Sequence, residues 1–421
     1  MKRNRIETKP TMVLFIDAFR YDYLSAEETP FLYGIAEQQF SASVQTILGY
    51  SDAIDASIFT GVQPRQHGHW IMHKYQPQSS PLKMFKVFSF IDMIPSDFVI
   101  RGTKFVLSAF IGKLLARKYK YEQLSTHNIP YKVIDQFGWT TRKGVFSKNP
   151  FPEFPTLFDI LEQNGMSHVF IDAAKLSLIH RYNSSKKIRG KVVDSLTGLA
   201  AKKDLYFIYF HHLDHFAHRY RTDSKIFRDE LKEMDRTIEY TINSAKSLFH
   251  DELNIMIISD HGMVNTDVFI DVRDLVQDRA FGKDYLLFLD STMIHIWYLN
   301  ESKRNEVRRR IENLNCGRFI DRAEKKCLGL DFDNRDYGDE IYLLEPGYSI
   351  FPNFMSWLKP HAMHAYDPKE QSQLGIMLAE GTGLAFEDRR SAHVLDISPS
   401  ILDMVGIDIP DYFRGKSIIR H

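Results

Sequence analysis

The sequence predicts an α/β protein with a mostly parallel central sheet, and three observations carry that prediction. Short uninterrupted apolar runs at 12–16, 205–210 and 255–258 have the length of strands buried on both faces, the kind found inside a parallel sheet. Residues 156–165 read as a helix stopped by Asn164-Gly165, and 168–172 as the strand after it, the helix-then-strand unit of a doubly wound fold. At 421 residues the chain can bury a large core; that length corresponds to roughly two to three domain-sized units.

Composition narrows the function classes. Lys+Arg and Asp+Glu both number 54, a formal net charge of zero that gives no support to a nucleic-acid-binding domain. The cysteines, Cys316 and Cys327, are too few for a disulfide scaffold. Residues 1–10 are basic but run straight into the first strand, without the apolar stretch and small-residue cleavage site of a secretory signal. No apolar run approaches the roughly 18 residues of a transmembrane helix. Together these features predict a cytoplasmic protein without a membrane span.

The first strand, 12–16, ends at Asp17, which reads either as a cap of the following turn or as a carboxylate presented at the sheet edge. Thr29-Pro30 opens a helix to Glu37, with proline at an early helical position where its missing N–H costs nothing. Ser51 stands where a loop enters a helix over 52–59. Its hydroxyl reads as an N-cap or as a nucleophile near the positive end of the helix dipole. That helix ends at Thr60-Gly61; 64–68 reads as a turn, and His67 and His69 as structural imidazoles.

Residues 71–150 interrupt the pattern. From 83 to 124 the chain is apolar and basic, with Phe85, Val87, Phe90, Phe105, Phe110 and Leu114 among its apolar members. Arg101, Lys104, Lys113, Arg117, Lys118 and Lys120 follow one another with no acidic residue between them. Two readings stand. One is a helical insertion packed on the core with a solvated basic edge. The other is a cap that holds a lipid-like or anionic substrate, or makes a peripheral membrane contact through 83–120.

The later strands end in chemistry. After 205–210 comes a His-rich segment in which Asp214 and His218 are four apart, so one helical turn puts both on one face. The 255–258 strand delivers Asp260 and His261, then Gly262, which allows a tight turn. A carboxylate beside a neutral imidazole suits a divalent metal such as zinc. Residues 291–299 alternate as a strand and 302–314 read as a charged surface helix. A strand with a turn over 339–348 leads to His364, ahead of Tyr366-Asp367-Pro368. Residues 375–379 form a late strand, and 396–406 a closing helix.

Taken in order, Asp17, Ser51 ahead of Thr60-Gly61 and His67-Gly68, Asp214-x-x-x-His218, Asp260-His261-Gly262-Met263 and His364-Ala-Tyr-Asp resemble the alkaline phosphatase superfamily. The nearest branch is the type I phosphodiesterase/nucleotide pyrophosphatase group. The resemblance covers about 10–70, 155–275 and 340–421, and the 396–406 segment looks like the family's closing helix. It implies a three-layer alkaline-phosphatase-like core from 1–70, 151–275 and 340–421. Residues 71–150 would then be a helical cap or lid, and 276–339 a small α+β cap subdomain.

The resemblance further implies two divalent ions. Asp214, His218 and His364 would hold one; Asp17, Asp260 and His261 would hold the other, with Ser51 bridging to it as nucleophile. Three carboxylates and three histidines favour zinc over magnesium, with manganese an alternative. A divalent ion at a serine oxygen favours the alkoxide, and a pair of ions can stabilise attacking and leaving oxygens at phosphorus, giving a phosphoseryl intermediate. Asp52 and Asp55 lie near Ser51, where an ionised carboxylate would not welcome a phosphate, and Ala365 stands where the family commonly has glycine.

The expected function is hydrolysis of a phosphate-ester small molecule of the nucleotide or sugar-nucleotide kind by a metal-dependent phosphodiesterase or pyrophosphatase. A phosphoethanolamine-type transferase or a phosphomonoesterase of the same superfamily is the alternative. Residues 15–22 and 213–220 are similar to transferases that build lipid anchors, which would make the substrate lipid-like. A third reading is a non-catalytic binding protein on a degenerate fold.

Overall fold

The most apolar segments of the chain form the middle of a mixed, mostly parallel sheet. The computed structural model describes residues 9–176, 184–199, 202–250, 252–381 and 383–421; the basic segment 1–8 lies outside the described residues. Contacts divide the chain into two units, one of Met1–Gln63, Phe151–Asn265 and Pro368–His421, the other of Pro64–Pro150 and Thr266–Asp367.

The first unit holds a seven-stranded sheet. Its spatial order is Ser391–His393, Phe40–Gln45, Gly375–Glu380, Asn254–Ile258, Thr11–Ile16, Leu205–Phe210, His168–Asp172. The last four run parallel to one another, and Gly375–Glu380 is antiparallel to both its neighbours. Thr11–Ile16, Leu205–Phe210 and Asn254–Ile258 are buried along their whole length, as continuous apolar strands between helical layers must be. The Phe40–Gln45 strand escaped the sequence reading because Phe-Ser-Ala-Ser-Val-Gln carries few large apolar side chains.

Helices cover the sheet through apolar stripes. In Lys225–Phe249 the buried Phe227, Leu231, Met234, Ile238, Ile242 and Ala245 recur every three or four residues. Asp235 on that helix accepts the N–H groups of Phe31 and Leu32 at 3.1 and 2.9 Å, satisfying the start of Pro30–Gln38 in place of a local cap. The closing helix spans Ile397–Met404.

The second unit is built around a four-stranded antiparallel sheet ordered Tyr285–Leu289, Met293–Tyr298, Glu340–Leu344, Gly317–Phe319. This unit takes in the segments 71–150 and 276–339 together with 340–367. Strand pairing gives the reason: Glu340–Leu344 lies between two strands of the 276–339 segment. The insertion is stitched on as well. Tyr75 N–H donates to Asp336 O at 2.8 Å, Asn128 N–H to Phe354 O at 2.7 Å, and Trp70 packs edge-on against Tyr337.

Two local expectations change. Residues 64–67 form a short helix, Pro64–His67, rather than a turn. Arg101 and Lys104 are buried, so the insertion's basic edge is not wholly solvated. Lys104 Nζ reaches Ile129 O at 2.9 Å and Asp92 at 2.8 Å, which satisfies the charge inside. No helix among the described residues is long and apolar enough to cross a membrane.

Candidate active site

Parallel strands end on the same edge of a sheet, and that edge is where side chains for chemistry collect. In the first unit the register pairs Ile16 with Phe210 and Phe15 with Ile258, so Asp17, His211 and the Ser259-Asp260-His261 segment emerge side by side. Asp17 N–H donates to Phe210 O at 3.0 Å. Ala18 then takes a left-handed φ of 61°, and its N–H donates to Asp260 Oδ1 at 3.3 Å; Phe19 N–H donates to Ser259 Oγ at 2.9 Å. Asp17 therefore does not act as a helix cap. The backbone after it binds the Asp260 loop instead.

His261 is the hub. Its Nδ1 lies 2.9 Å from Gly262 O. A carbonyl only accepts, so Nδ1 carries a proton and Nε2 faces the other way. Nε2 lies 3.2 Å from Ser51 Oγ, 3.2 Å from Asp260 Oδ2 and 3.4 Å from Asp17 Oδ1. The donor atoms of Asp17, Asp260 and His261 all fall within 4.8 Å of one another. Gly262 makes this possible, since a Cβ there would strike the carbonyl of Ser372.

Ser51 is the first residue of the helix Ser51–Thr60, and Tyr50, in extended conformation, is the cap. The Ser51 hydroxyl is thus not used as an N-cap. It stands at the positive end of the helix against His261.

A divalent cation fits this group on its own geometry. Asp17 Oδ1 and Asp260 Oδ2 are buried oxygens that accept no hydrogen bond, and both point at the Nε2 lone pair. Burial raises Asp260 well above the usual carboxylate range, and the charge of Asp17 pushes it further. Carboxylates buried against each other are a costly arrangement until positive charge joins them, and a divalent ion supplies it.

Asp55 lies one helical turn after Ser51 and is fully buried; burial, followed by the charges of Asp260, Asp17 and Asp52, raises it well above the carboxylate range.

Two supporting residues were missed. Tyr209 OH donates to Asp17 Oδ2 at 3.1 Å and lies 3.4 Å from Asp55 Oδ2. His211 stacks on Tyr209 and bridges two strand ends, with Nδ1 3.7 Å from Asp17 and Nε2 3.3 Å from Asp172. Burial pulls His211 down, but its bonds to Asp17 and Asp172 outweigh this and raise it to about 10. The signal existed in the His-rich end of the 205–210 strand, yet nothing in sequence distinguishes the supporting imidazole His211 from the expected ligand His218.

Asp214 and His218 lie on the helix His212–Tyr220, with His218 Nε2 3.2 Å from Asp214 Oδ1. His364 is carried by the second unit, buried, just after the strand Ala362–Met363.

Comparison with known proteins gives a consistent picture. A family model described as type I phosphodiesterase / nucleotide pyrophosphatase matches residues 11–367. Ectonucleotide pyrophosphatase/phosphodiesterase family member 7 of Mus musculus is 34% identical over 111 residues, 26% of this chain and 25% of that protein. Its Homo sapiens counterpart is 32% identical over 110 residues, 25% of this chain and 23% of that protein. The matched segment thus spans about a quarter of those relatives. Solved structures of the murine and human ectonucleotide pyrophosphatase/phosphodiesterase 5 cover 98% of this chain and 100% of theirs, with TM-scores of 0.66 and 0.65 at 16% and 17% identity, a likeness of fold. A further murine structure, an inactive variant in complex with AMP, matches with a TM-score of 0.66 at 16% identity, over 98% of this chain and 100% of that one.

Proposed function

The chain belongs to the type I phosphodiesterase / nucleotide pyrophosphatase family, and on that premise we propose that it is a metal-dependent hydrolase of phosphate diesters or pyrophosphates with Ser51 as nucleophile. The observation that carries the reading is the Ser51 hydroxyl, 3.2 Å from His261 Nε2, on a cluster whose acidic donors point at the same lone pair. Asp17, Asp260, His261 and Ser51 would hold one ion; Asp214, His218 and His364 would hold the other. The donor chemistry favours zinc, with manganese the alternative.

Bound ions would lower the pKa of the serine hydroxyl and neutralise charge gathering on the phosphoryl oxygens. The protein's own groups do the rest. Ser51 Oγ attacks phosphorus, the bond from phosphorus to the leaving oxygen breaks, and a serine phosphoester remains for water to hydrolyse. The start of the Ser51–Thr60 helix favours negative charge at that oxygen. Gly262 O holds the His261 ring so that Nε2 keeps facing Ser51, and Tyr209 OH fixes the Asp17 carboxylate.

The relatives named for nucleotide pyrophosphatase activity support a substrate of the nucleotide or sugar-nucleotide kind. The cytoplasmic location belongs to this proposal and rests on the low cysteine content, with Cys316 buried and Cys327 exposed as free thiols. The test is a panel of a nitrophenyl monoester, a nitrophenyl nucleotide diester and a nitrophenyl phosphonate, each with zinc or manganese. Preference for the diester supports the reading. Transfer to added alcohols in place of hydrolysis would establish a transferase instead, and inactivity with metal bound would leave a binding protein.

A further inference from the structure

Large apolar side chains at the surface of the described residues are concentrated in one stretch of the second unit. Ten of the nineteen exposed large hydrophobics fall between Met84 and Leu114. They include Met93, Phe98 and Phe110, which are 82%, 87% and 72% exposed. Single exposed hydrophobics need no explanation, but a contiguous group of this size marks a surface that meets something.

The helix Asp97–Leu107 is turned inside out. Its cations face the protein: Arg101 Nη1 donates to Ser356 O at 2.6 Å, and Lys104 is held by Ile129 O and Asp92. Its aromatics, Phe98 and Phe105, face solvent, and the pattern continues through the wide turn Ser108–Gly112 with Phe110 into the helix Lys113–Tyr119 with Leu114. Soluble helices bury the apolar stripe and expose the charged one. Here the chain satisfies two buried cations in order to present phenylalanines. The patch extends onto Trp357, whose ring meets Phe105 edge-on at 5.2 Å, and onto the exposed Leu358.

The rim is of one sign. Lys113, Arg117, Lys118 and Lys120 are exposed at one end and Lys83 at the other, where Lys86 pairs with Asp135, and no acidic residue occurs between Asp97 and Glu122. The nearest carboxylates are paired, Asp97 with Arg273 at 3.0 Å and Asp92 with Lys104. A two-fold dimer through this face would bring two wholly basic rims together, which like-charge repulsion opposes. An aromatic and aliphatic patch fringed by lysines matches the surface of a bilayer containing acidic lipids, where phenylalanine and tryptophan enter the headgroup boundary and the cations meet phosphates. We propose that this surface, from Met84 to Leu114 with Trp357 and Leu358, docks the protein peripherally on an anionic membrane.

Tryptophan supplies a direct readout. Trp357 is 40% exposed, whereas Trp70, Trp139 and Trp297 are buried. The full chain is mixed with phosphatidylcholine vesicles, with or without phosphatidylglycerol, containing brominated lipid. The expected result is quenching of part of the emission by the anionic vesicles, lost in Trp357→Phe and weakened by salt. In co-sedimentation, Phe98→Asp with Phe110→Asp should lower binding at least about tenfold. Lys113→Gln with Lys118→Gln should lower it about 25-fold, roughly fivefold for each cation. Absence of quenching in the unsubstituted chain overturns the proposal whether or not the variants fold, as does equal binding to neutral vesicles. A dimer that the Phe98→Asp, Phe110→Asp chain abolishes, without vesicle binding in the parent, would reassign the face to self-association.

Discussion

His261 turns its Nδ1 to the carbonyl of its own neighbour Gly262 at 2.9 Å, and so offers Nε2 to Ser51 Oγ at 3.2 Å. One backbone contact thus selects the tautomer that makes the ring a ligand rather than a proton donor toward the serine.

Ser51→Ala should lower turnover of a nitrophenyl diester by about a thousandfold or more, the scale seen when an enzyme loses its nucleophile. Ser51→Thr should restore part of it. Initial rates at saturating zinc measure both, and a Ser51→Ala enzyme within tenfold of the parent would remove Ser51 from the chemistry.

Metal removal should follow the same logic. Dialysis against a chelator should abolish activity, and zinc or manganese should return it. Tyr209→Phe, which deletes only the hydroxyl bonded to Asp17 at 3.1 Å, should weaken metal affinity by roughly tenfold to a hundredfold. Titration calorimetry of the metal-free protein decides; unchanged affinity would mean that Tyr209 serves packing alone.

Glu230 predicts a pH dependence of stability. It is buried, accepts Ser185 N–H and Oγ–H at 2.6 and 2.5 Å, and burial raises it from 4.5 to about 7. A carboxyl raised on folding favours the protonated native state. Its contribution is whole below pH 4.5 and is lost as pH climbs to about 7. The loss should be on the order of 2–3 kcal/mol. Glu230→Gln should flatten that segment of a denaturation-against-pH profile; an unaltered slope would assign it to other groups.

Gly262→Ala should destabilise the first unit by about 1–3 kcal/mol, because the new methyl meets the fixed carbonyl of Ser372. Thermal melting reads the loss, and a parallel fall in metal affinity would show that the His261 loop has moved.

Ala365 sits at φ 66°, a left-handed conformation that costs an L-residue about 1 kcal/mol. Ala365→Gly should therefore leave stability unchanged or raise it by up to about 1 kcal/mol, the relief of strain being offset in part by a freer unfolded chain. A clear loss of melting temperature would contradict this.

Much of the core was legible because its signals are local. Buried parallel strands must be apolar at every position, so Thr11–Ile16, Leu205–Phe210 and Asn254–Ile258 announce themselves, and the helix His212–Tyr220 follows from the spacing of Asp214 and His218. Phe40–Gln45 did not, since its small side chains pair through backbone groups that leave no pattern. The inward turn of Arg101 and Lys104 was equally hidden: a basic residue reads as solvated until carbonyls such as Ser356 O and Ile129 O are known to meet it.

The sequence by itself determined the strand-end residues and their order, because residue type and short-range periodicity are properties of the chain before it folds. Tertiary structure alone decided that Ser51 is not a cap, that His261 shows its Nε2, that Asp55 is buried beside the site and that His211 and Tyr209 brace Asp17. Those outcomes depend on burial and on atoms as much as 242 positions apart meeting within hydrogen-bond distance, and a linear sequence encodes neither until the sheet brings its strand ends together.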